Sequence, residues 1–495
     1  LNNFFEDLLE EKDVRANLSA LRGILREGED EEKNEVSEFV GEHEELFFGF
    51  LKSGDAKTRK IAARLLGDID CEEAADAIFE AYMKEQTFFV KASYLTALGE
   101  LEAAVRFLPE LRDRLEVINE AEVAPDNKKH VDEEIRELRK ILIRHEGITH
   151  HTFSAEGNLN RVLLIANREN RPLIARQTGG RVHPLGVLVT TDDLSPLFKI
   201  RTYREMLFPL PFKELLSADD LWRVWEPMLE LCRKYHNEDT PFYFRVECRA
   251  IFSLEDRSKF TKRLGTGIEE MSGGALINST GDYEVELRLI QGRDNMYFPC
   301  LKFSTIPDER FSYRKNAIAA SIHPSMAALI AELSAPYLKE GAQIMDPFCG
   351  VGTMLIERDI RVPAGEMYAT DIFGDAIIGG RENASLAGKN INFIHRDFFD
   401  FTHDYKFDEI ITNMPVRGRK TREEMDGLYA DFFAKVKKIL ANEAVMILYT
   451  GESGFVKKQI RLHREFSLLQ EYCMQTKKGY YLMIIGVRLA SAPKN

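Results

Sequence analysis

The run QIMDPFCGVGTMLIE, residues 343–357, decides how this chain is read. An apolar strand ends in Asp346, and a loop carrying Gly350 and Gly352 opens a helix. Glycine lets the backbone come close to a ligand, because no Cβ stands in the way. A bare G-x-G also fits a tight strand-to-helix turn, and the dinucleotide fingerprint would put a third glycine where this chain has Leu355. The flanking text supplies the context. A helix, SMAALIAELSAPYL, precedes the run, and strands are expected near 343–348, 366–371, 391–397, 407–413 and 444–450, with helices in most gaps. Such alternation gives parallel strands joined by right-handed crossovers, hence a doubly wound sheet. Two closing runs, FSLLQEYCMQ and YYLMIIGVRLA, are separated by TKKG and read as an antiparallel hairpin.

Ligands of open α/β sheets bind at the carboxyl ends of the strands, and polar residues fall there in order. Asp371 closes EMYATD 25 residues after Asp346, near the spacing at which an acid grips ribose hydroxyls. Asp397, in FIHRDFF, is expected to end the third strand, and Asn413 ends the fourth, FDEIITN, before M-P-V-R-G-R-K. A single strand-end acid is ordinarily a cap. The ordered set is what points to a nucleoside ligand.

At this point the C-terminal third resembles the class I S-adenosylmethionine-dependent methyltransferases, whose first motif D-P-F-C-G-V-G-T matches at residues 346–353. The resemblance implies S-adenosylmethionine as cofactor and no metal. It assigns the cofactor to Asp346, Pro347, Phe348, Gly350, Gly352, Thr353, Asp371 for the ribose, Asp397 for the adenine amino group, and Asn413. N-M-P-V is similar to the T-x-M-P-F-G and D-L-P-F-G forms of guanine-N2 methyltransferases acting on tRNA, which makes Asn413, Met414 and Pro415 the catalytic residues. An exocyclic amine is a poor nucleophile, since its lone pair is delocalised into the ring. The Asn413 side-chain oxygen and the Met414 carbonyl would accept its two N–H groups and aim the lone pair at the methyl group, an effect of orientation. Val416 stands where the family carries an aromatic residue that stacks on the base. Arg417 or Arg419 would then supply a flat guanidinium instead, although the basic run RGRKTR also reads as a solvated loop.

The rest of the chain divides in two. Residues 1–146 carry almost no strand signal and read as amphipathic helices, with RKIAARLLGDI from residue 59 echoed by VKASYLTALGEL from residue 90. Leu66-Gly67 recurs as Leu98-Gly99, 32 residues on. This resembles a HEAT-like paired-helix repeat, the alternative being an irregular helical bundle. Residues 147–316 alternate short β-branched runs with two helical stretches, an α+β pattern. They resemble the linker and THUMP region that precede the catalytic domain in certain RNA methyltransferases. That likeness implies RNA binding, with Arg310, Arg314 and Lys315 as phosphate contacts and Lys259, Lys262 and Arg263 as a basic patch. The catalytic domain takes residues 317–495. The expected fold is thus multidomain α and α/β: N-terminal helical repeats, a central α+β THUMP-like region and a Rossmann-like methyltransferase sheet.

Composition agrees. The chain has 495 residues and a formal charge of −14, unfavourable for a nucleic-acid partner if spread evenly. It is not spread evenly: residues 1–150 hold 36 acids against 21 bases, and the remainder 45 against 46. The acidic end suits a protein contact. The six cysteines are scattered, with no C-x-x-C spacing for zinc, and neither a leader nor a membrane-spanning run is read, so the cytoplasm is expected. The leading expectation is guanine-N2 methylation of tRNA, with rRNA as the near alternative. A DNA adenine-N6 enzyme would show a full N-P-P-Y, and a degenerate, inactive binder of cofactor and RNA is the non-enzymatic reading.

Overall fold

A computed structural model describes residues 1–121, 123–236, 240–249, 253–475 and 479–489. The chain forms two compact units. One comprises Leu1–His150 with Pro241–Arg245 and Gly273–Glu284, and the other His151–Thr240, Val246–Ser272 and Val285–Asn495.

The first unit is built mainly from amphipathic helices around one core that includes Leu18, Leu21, Leu66, Tyr82, Tyr94 and Leu98. The two copies of the sequence echo are helices, Ala56–Asp68 and Phe88–Leu98, and they pack on each other. Gly67 is required for that approach, because a Cβ there would lie 2.7 Å from the Ala97 Cα. Asp55 caps the first of the pair by accepting from the Lys57 and Thr58 amides. The fully buried Glu134 accepts from the Tyr82 hydroxyl at 2.8 Å and from Arg114 Nε at 2.9 Å. A buried carboxylate left without such donors would be costly.

The strands of the central region are β1 (Asn160–Ile165), β2 (Arg181–His183), β3 (Gly186–Thr191), β4 (Glu205–Pro209), β5 (Phe242–Arg249), β6 (Leu276–Asn278), β7 (Val285–Gln291) and β8 (Tyr297–Phe303). In the second unit they run in the order β2-β3-β1-β4-β8-β7, antiparallel throughout. β5 and β6 pair in parallel. The run from YEVELRLIQ to CLKF forms a hairpin of β7 and β8, turned through Asp294 and Asn295 at positive φ. The first of the region's two helical stretches, ADDLWRVWEPMLELCRKY, begins as a 3-10 segment, Ala218–Val224, and becomes α-helical only from Trp225. Of the strand FYFRVECRAIF, residues 250–252 lie outside the described residues, as do the hairpin turn 476–478 and residues 490–495.

The C-terminal sheet comprises β9 (Gln343–Asp346), β10 (Glu366–Asp371), β11 (Asn392–His395), β12 (Phe407–Asn413), β13 (Leu440–Thr450), β14 (Phe466–Gln475) and β15 (Tyr480–Val487). Their order is β11-β10-β9-β12-β13-β15-β14, with the first five parallel and β15 inserted antiparallel between β13 and β14. The order reverses between β9 and β12, where an open α/β sheet forms its ligand crevice. Helices cover both faces and make two cores, one including Ile344, Leu355, Ile411 and Ile447, the other Met345, Ile410, Phe432 and Phe433. Arg358 and Glu409 form a fully buried ion pair, with Nη2 to Oε2 at 2.6 Å, tying the helix Thr353–Arg361 to β12.

Residues 151–240, 246–272 and 285–316 of the central region share one compact unit with the C-terminal sheet, and named contacts join them. Arg201 donates twice to the buried Glu357, at 2.8 Å from both Nε and Nη2. The Tyr313 hydroxyl donates to the same carboxylate at 2.8 Å. Among the described residues, no helix is long and apolar enough to cross a membrane.

Candidate active site

Asp346, Asp371 and Asn413 end β9, β10 and β12, and all three line one cavity of about 470 Å³ at that edge of the sheet. Asp397 lines it too, although the third strand stops at His395 and Asp397 caps the short turn after it, accepting from the Phe399 amide at 2.9 Å. Its expected position at a strand end is corrected by two residues.

The glycine loop forms the floor. Gly350 has φ +50° and Gly352 φ +79°, conformations that L side chains rarely adopt. A Cβ on Gly352 would also meet the Phe393 ring at 2.7 Å. The loop is pinned from β10, since the Gly350 amide donates to Asp371 Oδ2 at 2.8 Å and the Phe373 amide to Oδ1 at 3.0 Å. Each Asp371 oxygen keeps acceptor capacity for a ligand hydroxyl.

Asp346 is the buried acid of the site, 1% exposed. Its Oδ1 accepts from the Thr412 hydroxyl at 2.6 Å and from the Phe348 amide at 3.1 Å, while Oδ2 is buried without a partner. Burial pushes this carboxyl up to about 7, against the pull of its two donors. The Thr353 hydroxyl, on the first residue of the helix, is likewise buried and unpartnered. Two orphaned polar groups beside a glycine-walled cavity fit a ligand that brings its own polar atoms; an empty apolar site would leave both unsatisfied. Pro347 and Phe348 complete this wall. Cys349 lies there too, its thiol buried and pushed well above its ordinary range by desolvation.

At the end of the neighbouring strand β12, Asn413 Nδ2 donates to the Ala320 carbonyl at 3.4 Å, which leaves Oδ1 free to accept. The Met414 amide is held by the Tyr449 carbonyl at 2.9 Å. Pro415 and Val416 continue the wall, and Val416 is 49% exposed.

The basic residues divide. Arg417 and Arg419 are exposed and do not line the cavity, and Arg417 Nε bonds back to the Lys420 carbonyl at 3.2 Å. Lys420 lines it instead. Arg310, expected at a phosphate, is only 6% exposed. It is bound by Asp308 and by the carbonyls of Ile200 and Tyr203, which take four of its five N–H groups, and it lies over the Tyr203 ring. That expectation is corrected: Arg310 braces the junction. Arg314 donates to the Ile322 carbonyl, and Lys315 is exposed.

Sequence reasoning missed several lining residues. Ile318, Ala320, Ser321 and Ile322 form a turn over the cavity, and Ile372, Phe373, Arg396 and Phe399 border it. Phe373 is 61% exposed, a flat apolar face two residues beyond Asp371. Its place two residues past a strand-end acid was the available signal.

The strand order, glycine loop and crevice together define a doubly wound α/β sheet with a ligand site at its switch point. Residues 312–477 match the RMKL-like methyltransferase domain family, UPF0020. A tRNA (guanine(10)-N2)-dimethyltransferase of Methanothermobacter thermautotrophicus is 27% identical over 162 residues, which cover 32% of this chain and 46% of that protein. The chain thus spans about half the length of this curated relative. Among solved structures, TrmN from Thermus thermophilus is similar at 20% identity and a TM-score of 0.48, over 66% of this chain and 99% of that one. The SMU.472 protein in its complex with SAH is similar at 14% identity and a TM-score of 0.48, over 70% and 100%.

Proposed function

We propose that this protein is an S-adenosylmethionine-dependent RNA methyltransferase acting on the exocyclic N2 of guanine, in tRNA. The observation that carries this reading is the pairing, across one cavity, of a glycine floor with orphaned Asp346 and Thr353 atoms and a wall where Asn413 Oδ1 is free to accept. The match of residues 312–477 to a methyltransferase domain family supports it, and the name of the Methanothermobacter relative supports guanine N2 as the target.

The residues present fit the cofactor. Asp371 would hold its ribose hydroxyls, Asp397 the adenine amino group, and Asp346 with the Gly350 to Gly352 loop its amino-acid end. When bound, the cofactor supplies an electrophilic methyl group. The chain's own part is orientation. Asn413 Oδ1 and the Met414 carbonyl accept the two N–H groups of the target amine, turning its lone pair out of the ring plane. Binding and alignment of this kind account for roughly 7–11 kcal/mol of barrier at best. Pro415, which has no N–H, keeps the loop an acceptor surface. Lys420 at the cavity wall would meet a phosphate of the substrate, while Arg417 and Arg419, expected to lie flat on the base, stand outside the cavity.

rRNA remains the alternative substrate, since nothing in the cavity distinguishes RNA species. Neither the fold nor the matches support the protein contact expected at the acidic helices. The test is methyl transfer to unmodified tRNA and rRNA, followed by mass spectrometry of the nucleosides: N2-methylguanosine is expected, and label in adenine overturns the assignment.

A further inference from the structure

In a chain of net charge −14, the stretch 160–183 holds five arginines and one acid, Glu169. The structure gathers them. In the register of β1, β3 and β2, Arg161 lies opposite Thr190, and Leu163 and Arg181 both lie opposite Leu188. Residues opposite or two apart share a face of a sheet. Arg161, Arg181 and His183 therefore stand on one face, while Val162, Leu164, Val187 and Val189 are buried on the other. The His183 ring lies along Phe298 of β8, centroids 5.5 Å apart at 29°. Arg171 and Arg168, next along the chain, are close enough to act on each other's charge, and Arg171, Arg181 and Arg161 all act on His183, which burial first and these cations second hold below the ordinary imidazole range.

Among the described residues, Arg161, Arg168, Arg176 and Arg181 form no ion pair, and Arg171 bonds only to the Ala166 carbonyl. All but the half-buried Arg171 are exposed. Cations gathered without counter-charges repel one another, so the cluster is complementary to a partner carrying several negative charges. Its position adds to this. Asn167, beside Arg168, donates to the Met474 carbonyl of β14 at 2.6 Å. Cys473 pairs with Tyr481, which pairs with Thr450, so the end of β14 lies on the edge at which β12 and β13 end. Asn413 ends β12 at that edge.

We propose that Arg161, Arg168 and Arg181, with His183 and Phe298, form a surface that binds the phosphodiester backbone of the RNA substrate and leads it toward the cavity edge. This rests on the RNA reading above. It replaces Arg310, which is buried, with a surface that the sequence did not single out. The exposed guanidiniums meet phosphates, and the His183 and Phe298 rings offer a stacking face for an unpaired base.

The test uses the full chain with Arg161→Glu, Arg168→Glu and Arg181→Glu together, and a second triple variant with Gln at the same positions. Affinity for an unmodified tRNA transcript is measured across a salt series, and cofactor affinity by calorimetry. Each phosphate contact contributes roughly 0.7–0.9 to the slope of log affinity against log salt, so the Gln variant is expected to lower the slope by about 2. Its RNA affinity falls at least about tenfold and that of the Glu variant further, with cofactor affinity unchanged. His183, followed by NMR, should titrate at higher pH when RNA is bound. If the wild type binds RNA and both variants bind it equally with the same slope, the surface is not the interface. If the wild type binds cofactor but no RNA, the RNA reading itself falls, and this proposal with it. Should the Glu variant fail to fold, the Gln variant decides.

Discussion

The Thr412 hydroxyl donates to Asp346 Oδ1 across 2.6 Å, joining the ends of two strands 66 residues apart at the point where the sheet reverses its order. That bond is one of two that favour the ionised form of a carboxyl whose pKa burial has pushed up to about 7. Thr412→Val keeps the shape and removes the donor. Asp346 should then titrate higher, and the fold should lose about 1–3 kcal/mol, the cost of leaving a buried acceptor short of a partner. Chemical denaturation of the variant at pH 7 checks the second part, and carboxyl-carbon NMR the first.

The same carboxyl sets a pH dependence. Its folded value, about 7, is raised above the 3.8 ordinary for an aspartate, so its contribution to stability is full below about 3.8 and is lost as pH rises through 7. Asp346→Asn, neutral at every pH, should flatten the fall in stability between about pH 4 and 7. Affinity for a ligand with a cationic group beside Asp346 should run the other way, increasing as pH rises through about 7, and the variant should abolish that increase. Calorimetry across this range would count against the account if wild type and variant gave parallel profiles.

Asp371 is expected to serve twice, holding the Gly350 amide and accepting from the ligand ribose. Loss of charge-assisted bonds costs roughly 1.5–3 kcal/mol, so Asp371→Ala should weaken cofactor binding about 10- to 150-fold. An unchanged dissociation constant would refute the ribose assignment.

Arg201 and Tyr313 both bind Glu357, which is fully buried on the helix that opens from the glycine loop. Arg201→Ala leaves that carboxylate without its cation, and breaking a buried pair in this way costs about 3–5 kcal/mol. Replacing both partners, Arg201→Met with Glu357→Gln, should recover much of the loss. Thermal denaturation of the three proteins tests the coupling, and equal stabilities would show that the pair does not brace the junction.

How far the sequence could be read follows from the range of each signal. The glycine loop, the strand ends at Asp346, Asp371 and Asn413, and the terminal antiparallel pair were legible because each is a local pattern with a local cause. Asp397 was displaced only by the early end of β11. Arg310 could not be read correctly, because its partners, Asp308 and the carbonyls of Ile200 and Tyr203, are supplied largely by a segment about 110 residues away. The turn at Ile318 to Ile322 and the exposed Phe373 were missed for the same reason: exposure beside a cavity is a property of the assembled sheet. The echo was legible as a pair of helices, and the structure shows why Gly67 is in it, yet two helices do not establish a repeat.

Lys420 lines the cavity while Arg417 does not, which sets an order for the loop. Lys420→Ala should raise the KM for RNA by more than Arg417→Ala does, with cofactor affinity unchanged in both. Steady-state kinetics on a tRNA transcript would contradict this placement if Arg417→Ala had the larger effect.

The central claim is that the wall ending in Asn413 and Met414 orients the guanine amine. Single-turnover methyl transfer to unmodified tRNA, with nucleoside identification, compares the wild type with Asn413→Ala at saturating cofactor. The account predicts N2-methylguanosine from the wild type and a loss of at least about a hundredfold in the variant, since orientation of the amine supplies several kcal/mol of the barrier reduction. A variant that methylates guanine at the wild-type rate, or a wild type that labels adenine instead, would contradict it.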